Sequence, residues 1–210
     1  MRFILSAILV LAAAIPSFGR TAKEYFASDT TVTVFPMLPQ NLRLDMLDYY
    51  NAGKSKETQN IFGGMSVLEK ATSQYLKLKS SEVSAVEVWM PDTVTAEPLY
   101  IVNNTFLTPV ADGYISVYDH QMQKVDKVFK MPEAKDFIRI PKKDKKKVQD
   151  VVDMIDMLFL SFEIDPESGM ITATQNLDTF LVPEEYKPLK PYLLKSIRYR
   201  WTGKKYKLVK

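Results

Sequence analysis

The 210-residue chain has no cysteine and one histidine, His120. These two shortages remove most metal and nucleophile chemistry. Structural zinc sites, thiol nucleophiles, thioredoxin-like pairs and histidine-rich copper or iron centres all lack their ligands. Any bound metal would be a hard cation held by carboxylates, and nothing in the sequence calls for a cofactor. Charge of one sign is lacking too, with 28 Lys and Arg against 25 Asp and Glu. The formal net charge of +3 falls by one when residues 1–19, whose only charged side chain is Arg2, are set aside. That balance does not suit a nucleic-acid partner. Beyond the first twenty residues no apolar run is long enough to span a bilayer. The densest, Val151 to Leu160, is broken by Asp153 and Asp156.

The first twenty residues differ from the rest. Arg2 precedes an uncharged apolar run from Phe3 to Pro16, broken only by Ser6, and Ser17 and Gly19 then place small residues at −3 and −1 of a cleavage after Gly19. This order predicts a cleavable secretory signal over residues 1–19. The mature chain is then expected to be soluble, periplasmic or secreted. It would not be lipid-anchored, because lipidation needs a cysteine after the cleavage site. A chain of this length buries roughly 70% of its unfolded surface and folds without disulfides.

Residues 20–35 read as a polar leader, with a short strand over Val32 to Phe35. The remainder, 36–210, reads as a single α+β domain with sub-units 36–140 and 141–210. A helix is predicted from Leu38-Pro39-Gln40-Asn41 to about Tyr50, with Leu42, Met46, Tyr49 and Tyr50 as its apolar set, and Gly53 follows it. Residues 51–64 read as a loop. Ser66 and Glu69 have capping-box spacing, which predicts a short helix over Val67 to Ser73. Strand patterns follow at Tyr75–Lys79 and Val83–Trp89, then as a hairpin bending at Asn103-Asn104, then at Tyr114–Tyr118 after Asp112-Gly113, and at Phe137–Ile140. A second main helix is predicted from Pro141, with Val148, Val151, Val152, Ile155, Leu158 and Phe159 on one face. Strands over Phe159–Ile164 and Met170–Thr174 flank the turn at 165–169. The C-terminus predicts a hairpin turning at Gly203-Lys204, with Trp201 opposite Tyr206 and Tyr199 opposite Leu208. The expected fold is α+β, antiparallel sheet dominant, with two main helices. The echo of Asp45-Met46-Leu47-Asp48 in Asp153-Met154-Ile155-Asp156 suggests a tandem helix-plus-sheet duplication.

Candidate functional residues fall into four groups. Asp119-His120 could imitate a catalytic dyad, but the chain has no Gly-x-Ser-x-Gly elbow and the position reads as an exposed turn. Asp150, Asp153 and Asp156 form a carboxylate row that a solvated helix face explains. The aromatics Tyr75, Trp89, Tyr100, Phe106, Tyr114 and Tyr118 could form a sugar platform, although strand spacing points to core. The strongest signal is basic. Lys142, Lys143, Lys145, Lys146 and Lys147 crowd a helix start, where cations oppose the dipole. Arg198, Arg200 and Lys207 share one face of the C-terminal hairpin, with Arg200 directly across from Lys207. Both clusters suit an anionic partner.

The segment from Phe35-Pro36-Met37-Leu38-Pro39-Gln40-Asn41 through Asp48-Tyr49-Tyr50, with the order signal, β-rich body and basic aromatic C-terminus, resembles an uncharacterised family of exported proteins of Bacteroides-type bacteria, a domain of unknown function. The resemblance covers most of residues 25–210. It implies location and lineage and carries over no active site. The leading expectation is therefore an exported soluble envelope protein acting as a non-enzymatic module that binds an envelope protein or acidic glycan. The alternative is a hydrolase using carboxylates or His120.

Overall fold

A computed structural model describes residues 21–31, 33–93, 97–140 and 147–209. The expected signal segment lies outside the described residues, as do Lys142, Lys143, Lys145 and Lys146.

From residue 21 the chain is already built into the core, which corrects the reading of a polar leader. Helix α1, Ala22–Ala27, starts at a reciprocal capping box in which Thr21 and Glu24 each accept from the other's backbone N–H. Its Tyr25 and Phe26 are buried. Two adjacent aromatics anchor a segment whose average composition is polar. A 3-10 turn at Asp29–Thr31 follows, and from Thr33 to Leu38 the expected short strand is instead a run of turns.

Helix α2, Gln40–Asn51, forms where it was expected, but its buried face holds Arg43, Met46 and Leu47, while Tyr49 is exposed. The Arg43 guanidinium closes the junction with α1. Its Nε donates to the Leu38 carbonyl at 2.9 Å, and its Nη1 donates to the Phe26 and Ser28 carbonyls and to Thr31 Oγ1. Burial lowers its pKa from the usual value.

Six strands then form one antiparallel meander in sequence order: β1 Glu57–Gln59, β2 Met65–Ala71, β3 Tyr75–Ser81, β4 Ser84–Trp89, β5 Tyr100–Phe106 and β6 Asp112–Tyr118. Three expectations change here. The loop over 51–64 contains β1. The capping-box helix over Val67–Ser73 is β2, because Ser66 Oγ donates across the sheet to the Ser80 carbonyl at 2.6 Å and Leu68 and Ala71 point inward. Asn103-Asn104 lies inside β5, and Gly113 inside β6, where a Cβ would lie 2.4 Å from the Asn104 carbonyl oxygen. The two polar residues are tolerated in the strand because Asn103 has buried hydrogen-bond partners.

The second sheet has four antiparallel strands in the order β10-β9-β8-β7: β7 Leu160–Ile164, β8 Ile171–Gln175, β9 Ser196–Trp201 and β10 Tyr206–Val209. Helix α3, Lys147–Asp153, leads into it, and α4, Leu177–Phe180, and α5, Pro183–Leu189, separate β8 from β9. The helix expected to run on to about Phe159 ends at Asp153, and Phe159 instead leads into β7. Asp153, at its last position, opposes the negative end of the helix dipole. Residues 137–140, expected as a strand, hold the end of a 3-10 turn, and Ile138 makes a single bridge to Leu193. The two echoing tetrapeptides occupy different settings: residues 45–48 are mid-helix, whereas residues 153–156 cross a helix end. They do not mark equivalent positions.

The layers follow from strand alternation. One face of the six-stranded sheet packs Leu76, Leu78, Val86, Val88 and Val102 against α1 and α2. The opposite face packs Tyr75, Trp89, Ile101, Ile115 and Val117 against Phe162, Ile171, Ala173, Ile197 and Tyr206 of the second sheet. The result is helix, sheet and sheet, an α+β fold dominated by antiparallel sheet as expected.

Candidate functional site

The C-terminal hairpin forms in the predicted register, Tyr206 opposite Trp201, Lys207 opposite Arg200 and Leu208 opposite Tyr199. Its turn closes through a Thr202 N–H bond to the Lys205 carbonyl at 3.1 Å. The inner face is fastened at three points: the Tyr206 hydroxyl donates to the Gly169 carbonyl at 2.9 Å, Trp201 Nε1 to the Asp92 carbonyl at 2.9 Å, and the Tyr206 N–H to the Val128 carbonyl at 2.9 Å. Phe129 packs edge-on against both Tyr199 and Tyr206. Burial raises the pKa of both phenols, with Asp136 adding to the effect at Tyr199, which is pushed up to about 12. Both are therefore neutral anchors.

With the inner face held, Arg198, Arg200 and Lys207 project outward and are exposed. The sheet continues this face with Thr172 beside Arg198, Thr174 beside Ser196, and Glu163 and Ser161 on β7. Thr174 and Ser196 share a hydroxyl bond of 2.8 Å. From Ser196 to Val209 the hairpin carries Arg198, Arg200, Lys204, Lys205 and Lys207 and no acid. None of these five has an ion-pair partner among the described residues. Of the other predicted basic cluster, only the backbone of Lys147 is described, at the start of α3. The structure therefore places Arg198, Arg200 and Lys207 on one surface, and the Lys142–Lys146 run lies outside the described residues.

The other candidates sort simply. His120 is exposed, 4.0 Å from Glu97, and the neighbouring Asp119 Oδ1 accepts the N–H groups of Gln121 and Gln123 instead of a histidine. Asp150, Asp153 and Asp156 are exposed. Among the described residues no group of three or more His, Asp or Glu is arranged to hold a metal. Of the six aromatics, Tyr75, Trp89 and Tyr100 are core and Tyr118 is half-buried, but Phe106 and Tyr114 are exposed.

Sequence reasoning missed a charged groove of about 480 Å³ on the six-stranded sheet beside β7, lined by Glu69, Lys77, Lys79, Glu87 and Glu163. Glu87 is only 8% exposed. It accepts from the Tyr75 hydroxyl and from Asn103 Nδ2 at 2.6 Å, and the same Asn103 amide donates to the Phe162 carbonyl at 2.9 Å. This network ties the edge of the second sheet to the middle of the first. Burial and the Glu87 carboxylate push the Tyr75 pKa well above its usual value. With both oxygens engaged, Glu87 serves as a strut between the sheets. The signal available in the sequence was Glu87 itself, flanked by Val86 and Val88 in a strand whose register turns it inward.

A second groove, about 600 Å³ and mostly apolar, lies between residues 154–157 and α4–α5, with Met154, Met157 and Phe180 exposed along it. Among the described residues no helix is long and apolar enough to cross a membrane.

A family model described as "Protein of unknown function (DUF3256)" matches residues 17–206. Among solved structures, one described as "Structure of a domain of an uncharacterized protein from Porphyromonas gingivalis W83" superposes with a TM-score of 0.72 at 20% identity, over 88% of this chain and 95% of that one. At that identity the likeness is one of fold. No curated protein matches.

Proposed function

We propose that this chain, which belongs to the DUF3256 family, is a non-enzymatic binding module that docks an acidic partner, an envelope protein or an acidic glycan, on the outer face of its second sheet. One observation carries the reading: a rigidly anchored hairpin presents Arg198, Arg200 and Lys207 to solvent with no acid on either strand and no ion pair among the described residues. Arg200 directly opposite Lys207 costs roughly 0.2–1 kcal/mol. An acidic surface laid across the face relieves that repulsion and gains charge-assisted hydrogen bonds to both guanidinium groups. The neighbouring Thr172, Thr174 and Ser196 add hydroxyl donors and acceptors on the same flat surface.

Export to the envelope is part of the proposal. It is supported by the signal-like order of residues 1–19. The hydrolase alternative finds no support, since Glu87 is committed to Tyr75 and Asn103, and His120 sits in an exposed turn.

The test is retention of the full chain on immobilised polygalacturonate and on immobilised polyglutamate at about 0.05 M and about 0.5 M salt, a range over which surface electrostatics are strongly screened. Retention on one polymer at low salt, lost at high salt and lost in Arg198→Glu/Arg200→Glu, is the expected result and identifies the partner class. No retention on either, or retention unchanged in the variant, refutes it.

A further inference from the structure

At the other end of the molecule, the helix-side face of the six-stranded sheet is only partly covered. Along β5 and β6 that face alternates through Tyr100, Val102, Asn104 and Phe106, and through Asp112, Tyr114, Ser116 and Tyr118. Asp112, at the strand start, accepts from the Leu160 N–H and does not line the cleft beside Phe106 and Tyr114. The inner rows are capped by α1 and α2, but the last row is not, and Phe106 and Tyr114 remain 47% and 45% exposed. The two rings are neighbours, with centroids 6.5 Å apart and planes tilted by 32°. Beside them a cleft of about 240 Å³ opens under the turn that carries Pro36 and Met37.

The chemistry of the cleft is unusual for this chain. A quarter of the residues are charged, yet every side chain lining the cleft is uncharged. At its floor the Ser80 residue is 1% exposed and its Oγ is buried with no hydrogen-bond partner. Buried hydroxyls are ordinarily paired, so an orphan in a cleft wall marks a place where a ligand can supply the missing bond. The Asn104 amide and the Tyr114 hydroxyl also line this cleft, and neither makes a side-chain hydrogen bond among the described residues.

We propose that this cleft binds one pyranose ring of a neutral glycan, with the apolar face of the sugar stacked on Phe106 and Tyr114 and its hydroxyls bonded to Asn104 and Ser80. An exposed aromatic pair matches the C–H face of a sugar. The orphan hydroxyl and free amide match its hydroxyls, and the absence of charge excludes an ionic ligand. The volume falls below the roughly 300–1,000 Å³ of sites for drug-sized ligands, which limits the occupant to about one ring. This site is separate from the basic hairpin and does not depend on it.

The experiment is affinity electrophoresis of the full chain through gels holding mannan, xylan, arabinogalactan or dextran, with a proline-rich peptide as competitor. Retardation by at least one neutral polysaccharide is expected, weakened about tenfold in Phe106→Ala and in Tyr114→Ala, the upper end of one aromatic contact. Tyr114→Phe should keep most of the binding and Asn104→Ala should weaken it, while Arg198→Glu/Arg200→Glu should leave it unchanged. Because both rings are exposed, the alanine variants should unfold at the wild-type urea concentration, which separates lost binding from lost fold. Retardation by none of the four polysaccharides overturns the proposal. So does retardation unchanged in the Phe106→Ala/Tyr114→Ala double variant, or displacement by the proline-rich peptide.

Discussion

Replacing Arg43 with methionine removes a buried guanidinium while keeping most of its apolar stem. In the native chain Arg43 is 1% exposed. It donates to the carbonyls of Leu38, Phe26 and Ser28 and to Thr31 Oγ1, and lies 5.6 Å from the Phe35 ring and 5.9 Å from the Phe26 ring. Among the described residues no carboxylate forms an ion pair with it, so the positive charge is held mainly by carbonyl dipoles and π faces, with the Asp29 carboxylate adding a favourable field. Thr31 Oγ1 retains its own bonds to the Tyr25 and Ser28 carbonyls when Arg43 is lost. The carbonyls of Phe26 and Leu38 are left facing a methionine. Each stranded acceptor costs about 1–3 kcal/mol, and the charge-assisted bonds themselves are lost, so the total is roughly 3–5 kcal/mol. That is a large share of the roughly 5–15 kcal/mol that holds a domain folded. Urea unfolding followed by circular dichroism reads it directly: with a slope of about 2 kcal/mol per molar, the midpoint should fall by about 1.5–2.5 M. Arg43→Lys should fall between the two, because one ammonium cannot reach acceptors arranged for a planar fork. A methionine variant within about 0.5 M of wild type would show that the guanidinium is not what joins α1 to α2.

Two further predictions concern the junction and the surface. Gly169 has φ +62°, and a Cβ there would lie 2.0 Å from the Trp89 ring. Gly169→Ala should therefore cost roughly 2–4 kcal/mol through left-handed strain and overpacking, and lower the thermal midpoint by roughly 5–15 °C. A midpoint unchanged in scanning calorimetry would contradict the packing of the 165–169 turn on Trp89. Glu133 lies beside Lys130 at 2.8 Å and beside Lys135, whose ammonium groups hold its pKa at about 2 against an ordinary 4.5. Its folded value is the depressed one, so its contribution to stability is present above pH 4.5 and is lost as pH falls toward 2. Side-chain carbon chemical shifts should titrate near pH 2, and Glu133→Gln should flatten stability across that window; a shift midpoint near 4.5 would remove the effect.

What the sequence made legible depended on whether one local signal pointed one way. The C-terminal hairpin had a two-residue turn at Gly203-Lys204 and strict alternation on both sides, so its register and the outward set Arg198, Arg200 and Lys207 followed from residue parity alone. The strands on either side of residues 165–169 were equally plain. Other segments carried competing signals. Ser66 and Glu69 sit at capping-box spacing, but Ser66 also shares a buried strand face with Leu68 while Glu69 is exposed, and pairing with β3 decided for the strand. Helix α1 was hidden because Thr21 and Glu24, a capping pair, stand in a polar stretch whose two aromatics give no period. Arg43 escaped because apolar periodicity does not count a charged residue among core positions, and its partners are carbonyls contributed by α1 and its turn. The charged groove and the Phe106–Tyr114 cleft both depend on which sheet rows the neighbouring layers leave uncovered, and that is a property of layer overlap over long sequence distances.

The reading of the second sheet as a docking face for an acidic partner is tested most directly by the affinity of the full chain for polygalacturonate and for polyglutamate, measured by calorimetry against the Arg198→Glu/Arg200→Glu/Lys207→Glu variant at about 0.05 M salt. The account predicts binding to one of the two polymers that weakens by at least about tenfold in the variant, corresponding to about 1.4 kcal/mol, with no change in the urea midpoint. Equal affinity of wild type and variant, or binding to neither polymer, contradicts it.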